Sequence, residues 1–155
     1  MGSRISAARR NGFTLIELLL VIGIIAILAT IVIVAINPTK QLGDARDTKR
    51  RNDVNTVLNA VYQYAIDNNG TMPGPLPEGD AADALEICAS PCTATGGYVD
   101  LDALTGSYLT TIPADPQGGS GTLGTNYWIY QDDRGRVTVS APGAEGDGVT
   151  ISVTR

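Results

Sequence analysis

An almost unbroken apolar run from Phe13 to Ile36 constrains this chain more than any other feature. Its only polar side chains are Thr14, Glu17 and Thr30, and Glu17 carries its single charge. As a helix, these 24 residues would rise roughly 36 Å at about 1.5 Å per residue. That is enough to cross a hydrocarbon core about 30 Å thick. The stretch ahead of the run, Met1 to Gly12, is short and basic, with Arg4, Arg9 and Arg10 and no acid. A positive flank keeps the N-terminus cytoplasmic, so the rest of the chain would cross to the outside. A carboxylate inside a membrane-grade segment is costly and marks a position with a role.

An ordinary secretory signal has an apolar region of about 7–15 residues followed by a small-residue cleavage site. Ala26 to Ala29 and Ala35 supply small residues, but the run is too long, and Pro38 and the charges come only after it ends. Met1-Gly2-Ser3-Arg4-Ile5-Ser6 also fits the loose N-myristoylation pattern, a short match of little weight. Glu17 lies in the first turns of the expected helix, where the positive end of the macrodipole favours an acid. One reading leaves it wet near the headgroups. The other gives it an amine partner on a second chain, which removes the cost of placing it in lipid.

Arg10-Asn11-Gly12-Phe13-Thr14-Leu15-Ile16-Glu17-Leu18 resembles the processing signal of type IV prepilins and type II secretion pseudopilins. In that family a membrane-embedded aspartyl peptidase cuts after the glycine and methylates the new N-terminal amine. The resemblance implies cleavage between Gly12 and Phe13, N-methylation of Phe13, and a Glu17 carboxylate that neutralises the Phe13 amine of a neighbouring subunit. A residue without Cβ at the cut suits a peptidase cleft and tolerates unusual backbone angles. Residues 1–12 are then a leader, 13–36 a transmembrane and filament-core helix, and 37–155 a head that includes the outer half of the long helix.

The 155 residues fit one domain, and the residues beyond the anchor are enough for one small core. Loss of the three leader arginines would take the formal charge from −5 to −8. So acidic a surface argues against general nucleic-acid binding and suits an exported domain. The absence of histidine removes His-based triads and imidazole zinc sites. Gly118-Gly119-Ser120-Gly121 lacks the Gly-Lys-Ser/Thr ending of a phosphate loop and precedes a strand pattern, so it reads as a flexible loop. No catalytic constellation is assembled, and the chain reads as a non-enzyme. Cys88 and Cys92 are the only cysteines. Outside the cytoplasm they can close a small disulfide loop, and an oxidising location favours that over two free thiols.

After the anchor, Asn37-Pro38 predicts a kink or short break, with Gly43 a second weak point. Helix is expected again from about Asp44 to Asn68, where Asp67-Asn68-Asn69-Gly70 supplies a stop. Val54, Val57, Leu58, Val61, Ala65 and Ile66 make its apolar stripe. Arg46, Asp47, Lys49, Arg50 and Asp53 are assigned to the opposite face. The Lys49-Arg50-Arg51 cluster is interleaved with acids, which favours ion pairs over a DNA or lipid contact. Pro73 to Asp80 is a loop, Ala81 to Ile87 can make a short helix, and Leu101 to Tyr108 is a helical turn or irregular. Ile112-Pro113-Ala114-Asp115-Pro116 resembles a turn found before the final strands of pilins. Three antiparallel strands are expected near Asn126–Tyr130, Arg136–Ser140 and Val149–Val153. The fold class is therefore α+β and pilin-like, a long N-terminal helix on a small antiparallel sheet.

Some major pseudopilins bind calcium near this sheet. Asp115, Asp132, Asp133 and Asp147 are weak candidates, without EF-hand spacing, and otherwise solvated turn acids. No other cofactor is expected. The resemblance implies a structural subunit of a type IV pilus-like filament. Its partners are identical or homologous subunits, the prepilin peptidase, the membrane platform of the assembly machine and the lipid bilayer. It would sit in the bacterial inner membrane before assembly, and in a surface pilus or periplasmic pseudopilus afterwards. The alternatives are a pseudopilin of a type II secretion system and a single-pass anchored binding domain that does not polymerise. A long, glycine-rich loop between Pro116 and Tyr127 departs from the major pseudopilin pattern and tilts the reading toward a pilus.

Overall fold

The computed structural model describes residues 12–93, 96–119, 121–146 and 150–155. The chain divides into two compact units, Met1–Gln41 and Leu42–Arg155. In the first, helix α1 (Leu15–Ile36) holds no buried residue. Its hydroxyl at Thr30 donates 2.8 Å back to the Ala26 carbonyl, so even this polar group is satisfied within the helix. The helix ends where Asn37 takes φ 42°, the left-handed region that a short polar side chain tolerates.

Helix α2 (Pro38–Asp67) starts immediately afterwards, six residues earlier than the expected restart near Asp44. Proline has no N–H to lose at a first helical position and its φ is already set for a helix. Asn37 Oδ1 accepts from the Lys40 N–H at 3.4 Å, so one residue closes α1 and opens α2. Gly43 therefore lies inside a continuous helix rather than at a break. At the far end Gly70, with φ 89°, donates to the Ala65 carbonyl at 2.7 Å and stops the helix where the sequence places the stop.

Within Leu42–Arg155, α2 buries Val54, Val57, Leu58, Ala60, Val61 and Ala65. Ile66, assigned to the same stripe, is 72% exposed, one step off the buried arc. Asp47 and Arg50, assigned to the solvent face, are buried and continue the arc upward from Val54 at helical steps. The facing sheet has five strands: β1 (Leu85–Cys88), β2 (Tyr98–Val99), β3 (Gly124–Gln131), β4 (Val137–Ala141) and β5 (Ile151–Thr154). Their order is β2-β1-β3-β4-β5. β1 and β2 are parallel and every other pair is antiparallel, so the sheet is mixed rather than wholly antiparallel.

The short helix expected over Ala81 to Ile87 is not formed. Asp80 Oδ1 accepts from Ala82 N at 2.7 Å and turns the chain, after which β1 begins. Seven residues are too few to hold a helix by themselves, whereas the β3 edge offers backbone partners, with Leu85 opposite Ile129. Leu101 to Tyr108 contains one 3-10 turn, Asp102–Leu104. The core lies between α2 and one sheet face, where Val54, Val57, Leu58 and Val61 meet Ile87, Leu101, Tyr127, Ile129, Val137 and Val139. Each such side chain contributes about 1.5–3 kcal/mol by leaving water. The class is α+β and pilin-like, as the sequence predicts.

Candidate functional site

Thr14 caps α1 with φ −80° and ψ 153°, an extended residue at the head of the helix. Its hydroxyl accepts from the Glu17 N–H at 3.3 Å. In return Glu17 Oε2 accepts from the Thr14 N–H and the Thr14 hydroxyl, both at 2.7 Å. This reciprocal capping box satisfies orphan donors of the first turn. It also fixes the carboxylate at the very start of the apolar helix, one turn from Phe13. Phe13 is 84% exposed, and together with Ile16, Glu17, Leu20 and Val21 it lines an open apolar depression. Gly12 is exposed. The rest of the expected leader lies outside the described residues.

The second polar centre was missed by the sequence reading. Arg50 has no exposed side chain, and its guanidinium is surrounded. Nε donates to Asp115 Oδ2 at 2.6 Å, and Nη2 to Asp115 Oδ1 at 2.9 Å and Gln117 Oε1 at 2.8 Å. Nη1 donates to Asp47 Oδ1 at 2.8 Å and Glu145 Oε1 at 3.0 Å. All five guanidinium hydrogens are thus used. Asp47 also accepts from the Glu145 N–H at 3.0 Å and the Gly146 N–H at 2.9 Å, and Arg46 pairs with Glu145 at 2.9 Å. Gly143 lets this loop approach: a Cβ there would stand 2.8 Å from the Asn126 amide and 3.3 Å from Asp115 Oδ2.

Burial works against the charge on Asp115, but hydrogen bonds from Arg50 and from the Gln117 N–H outweigh it and hold the carboxyl below its usual range. Asp47 behaves alike: burial opposes its charge, and the Glu145 N–H and Arg50 overcome it. Beside the cluster, buried Tyr127 donates to Asp53 Oδ2 at 2.7 Å. Burial, then that carboxylate, push its phenol up. Lys49 closes the seam with Asp53 at 2.5 Å and the Ala114 carbonyl at 2.9 Å. Lys49 and Arg50 are therefore engaged in ion pairs within the head.

The three described calcium candidates, Asp115, Asp132 and Asp133, do not converge on one point. Asp115 faces Arg50, and its N–H bonds the Thr125 carbonyl at the start of β3. Asp132 follows the far end of that strand, where Oδ1 accepts from the Arg134 and Arg136 N–H groups and Oδ2 pairs with Arg136 at 2.7 Å. Asp133 is exposed beside it, and Asp147 lies outside the described residues. Among the described residues no three acid, cysteine or histidine side chains form a metal-holding group. Cys88 and Cys92 are joined by a disulfide with Cα atoms 5.5 Å apart. The Cys92 N–H donates to Asp102 Oδ2 at 2.7 Å, tying that loop to the 3-10 turn.

A capped apolar helix with one acid in its first turn precedes an α+β head, a pilin-like order of elements. The prokaryotic N-terminal methylation motif matches residues 7–33. The type II secretion system core protein G of Aeromonas hydrophila is 28% identical over 142 residues, which cover 92% of this chain and 88% of that protein. No solved structure matches. Motif and relative both support a likeness to one family, the type IV prepilins and type II secretion pseudopilins.

Proposed function

We propose that this chain is a non-enzymatic structural subunit of a pilus-like filament. Prepilin peptidase cuts after Gly12 and methylates the Phe13 amine. Residues 13–36 then hold the subunit in the inner membrane, N-terminus cytoplasmic and head outside, until the assembly platform extracts it. Heads form the filament surface and the apolar helices its core, where protein contacts replace lipid.

The observation that carries this reading is Glu17, the single charge of an apolar helix with no buried residue, fixed by Thr14 beside the cut. Alone in lipid that carboxylate is costly. An N-terminal amine from a neighbouring subunit supplies the opposite charge. N-terminal mass spectrometry of the membrane-extracted protein should find N-methyl-Phe13. An intact leader, in cells with active peptidase, would leave a non-polymerising anchored domain instead. The Glu17→Ala variant should still be cleaved but should lose most filaments, and normal filaments from it would overturn the role given to Glu17.

A pseudopilin of a type II secretion system is the second reading, because the Aeromonas hydrophila relative is a core protein of such a system. Deletion separates the two. Loss of surface filaments with secretion intact supports the pilus. Retained filaments with loss of secreted enzymes support the pseudopilus.

A further inference from the structure

Calcium, which the family resemblance brings to this region, does not fit the acids among the described residues. Asp115 gives both oxygens to Arg50 and Asp132 is saturated by Arg134 and Arg136. Thr125, beside Asp115, and Asp132 are seven positions apart along β3 and its end, roughly 23 Å at about 3.3 Å per residue. No single ion spans that distance.

We propose that Arg50 is the internal cation of this head, performing the loop-tying that a divalent ion performs elsewhere, so that the fold is indifferent to calcium. The guanidinium gathers carboxylates from three separate stretches: Asp47 on α2, Asp115 before β3, and Glu145 between β4 and β5. A calcium ion works in the same way, drawing oxygen ligands from several points of a chain to one charge. Here the planar fork replaces the coordination sphere, with two parallel bonds to Asp115 and single bonds to Asp47, Glu145 and Gln117. The charges also close. Arg50 and Arg46 face Asp47, Asp115 and Glu145, and the remaining negative charge is met by the N–H groups of Gln117, Glu145 and Gly146 on these carboxylates. With Arg50 removed, the buried carboxylates of Asp47 and Asp115 would face the half-buried Glu145 with only Arg46 left to balance them, which is far costlier than never having built the cluster.

The test is thermal melting of the full chain in detergent, read by the fluorescence of Trp128, the only tryptophan, which lies on β3. The unaltered protein should melt at the same temperature in calcium and in chelator. A transition that rises with calcium would overturn the proposal. Arg50→Gln should lower the transition by roughly 10 °C or more in chelator. Arg50→Lys, which keeps the charge but not the fork, should fall between and gives a reading if Arg50→Gln does not fold. Transitions equal to the unaltered protein in both variants would show that Arg50 ties nothing, and would also overturn it.

Discussion

Asp115 and Asp47 owe their charge to the groups around them. Both are held below the ordinary carboxylate range in the folded head, so each stabilises the fold above its unfolded value, about 3.9, and ceases to as pH falls below it toward the folded value. The melting temperature should therefore drop on going from about pH 7 to about pH 3. Asp115→Asn should be less stable at neutral pH yet show a smaller drop, because one of the titrating groups is gone. An unchanged drop in that variant would place the acid sensitivity elsewhere. Arg50 was hidden in the sequence by its chemistry, not by its position. Gly43, Asp47, Arg50, Val54, Val57 and Val61 follow one helical arc, but hydrophobicity alone marks only its lower half. A charge on the period of a buried stripe, with acids available elsewhere in the chain, was the signal to follow. Glu17 was legible for the opposite reason, as the one charge in an otherwise almost wholly apolar run.

The elements divide along a similar line. The stop of α2 at Gly70 and the turn Asp132 to Gly135 use local chemistry, so their sequences announce them. There Gly135 takes φ 78° and donates to the Asp132 carbonyl at 2.8 Å. β1 and β2 have four and two residues; β1 depends on the edge of β3, some forty positions away for Glu86 and its partner Trp128, and β2 in turn pairs with β1. No local pattern marks such a strand. The glycine-rich stretch before β3, read as a flexible loop, is constrained at one point. A Cβ on Gly119 would collide with the Gly124 carbonyl and the Asn126 backbone nitrogen. Gly118 has φ 86° with open space around it. Gly118→Ala should thus cost only about 1–2 kcal/mol of backbone strain. Gly119→Ala should cost clearly more, since β3 itself must move. Urea unfolding of the two variants compares them directly, and equal midpoints would count against the tight approach at Gly119.

For the whole molecule, the head and the anchor are specified in different ways. The head has a core, an ionic clamp and a mixed sheet, each built from specific partner residues. Helix α1 has a different character. Thr14 is spent on the cap, Thr30 turns its hydroxyl inward to Ala26, and every remaining side chain but one is apolar or glycine. Turned about its own axis, α1 would look much the same to a neighbour from almost any direction. In an assembly of the proposed kind, Glu17 is the one mark on that dial. The double variant Glu17→Leu with Leu18→Glu moves the mark about 100° around the axis, leaving charge, length and mean hydropathy nearly as they were. It should be processed and inserted normally, yet fail to form filaments visible by electron microscopy. Normal filaments would mean that the heads alone index each new subunit, and that the bundle inside is a lubricated shaft with no preferred angle.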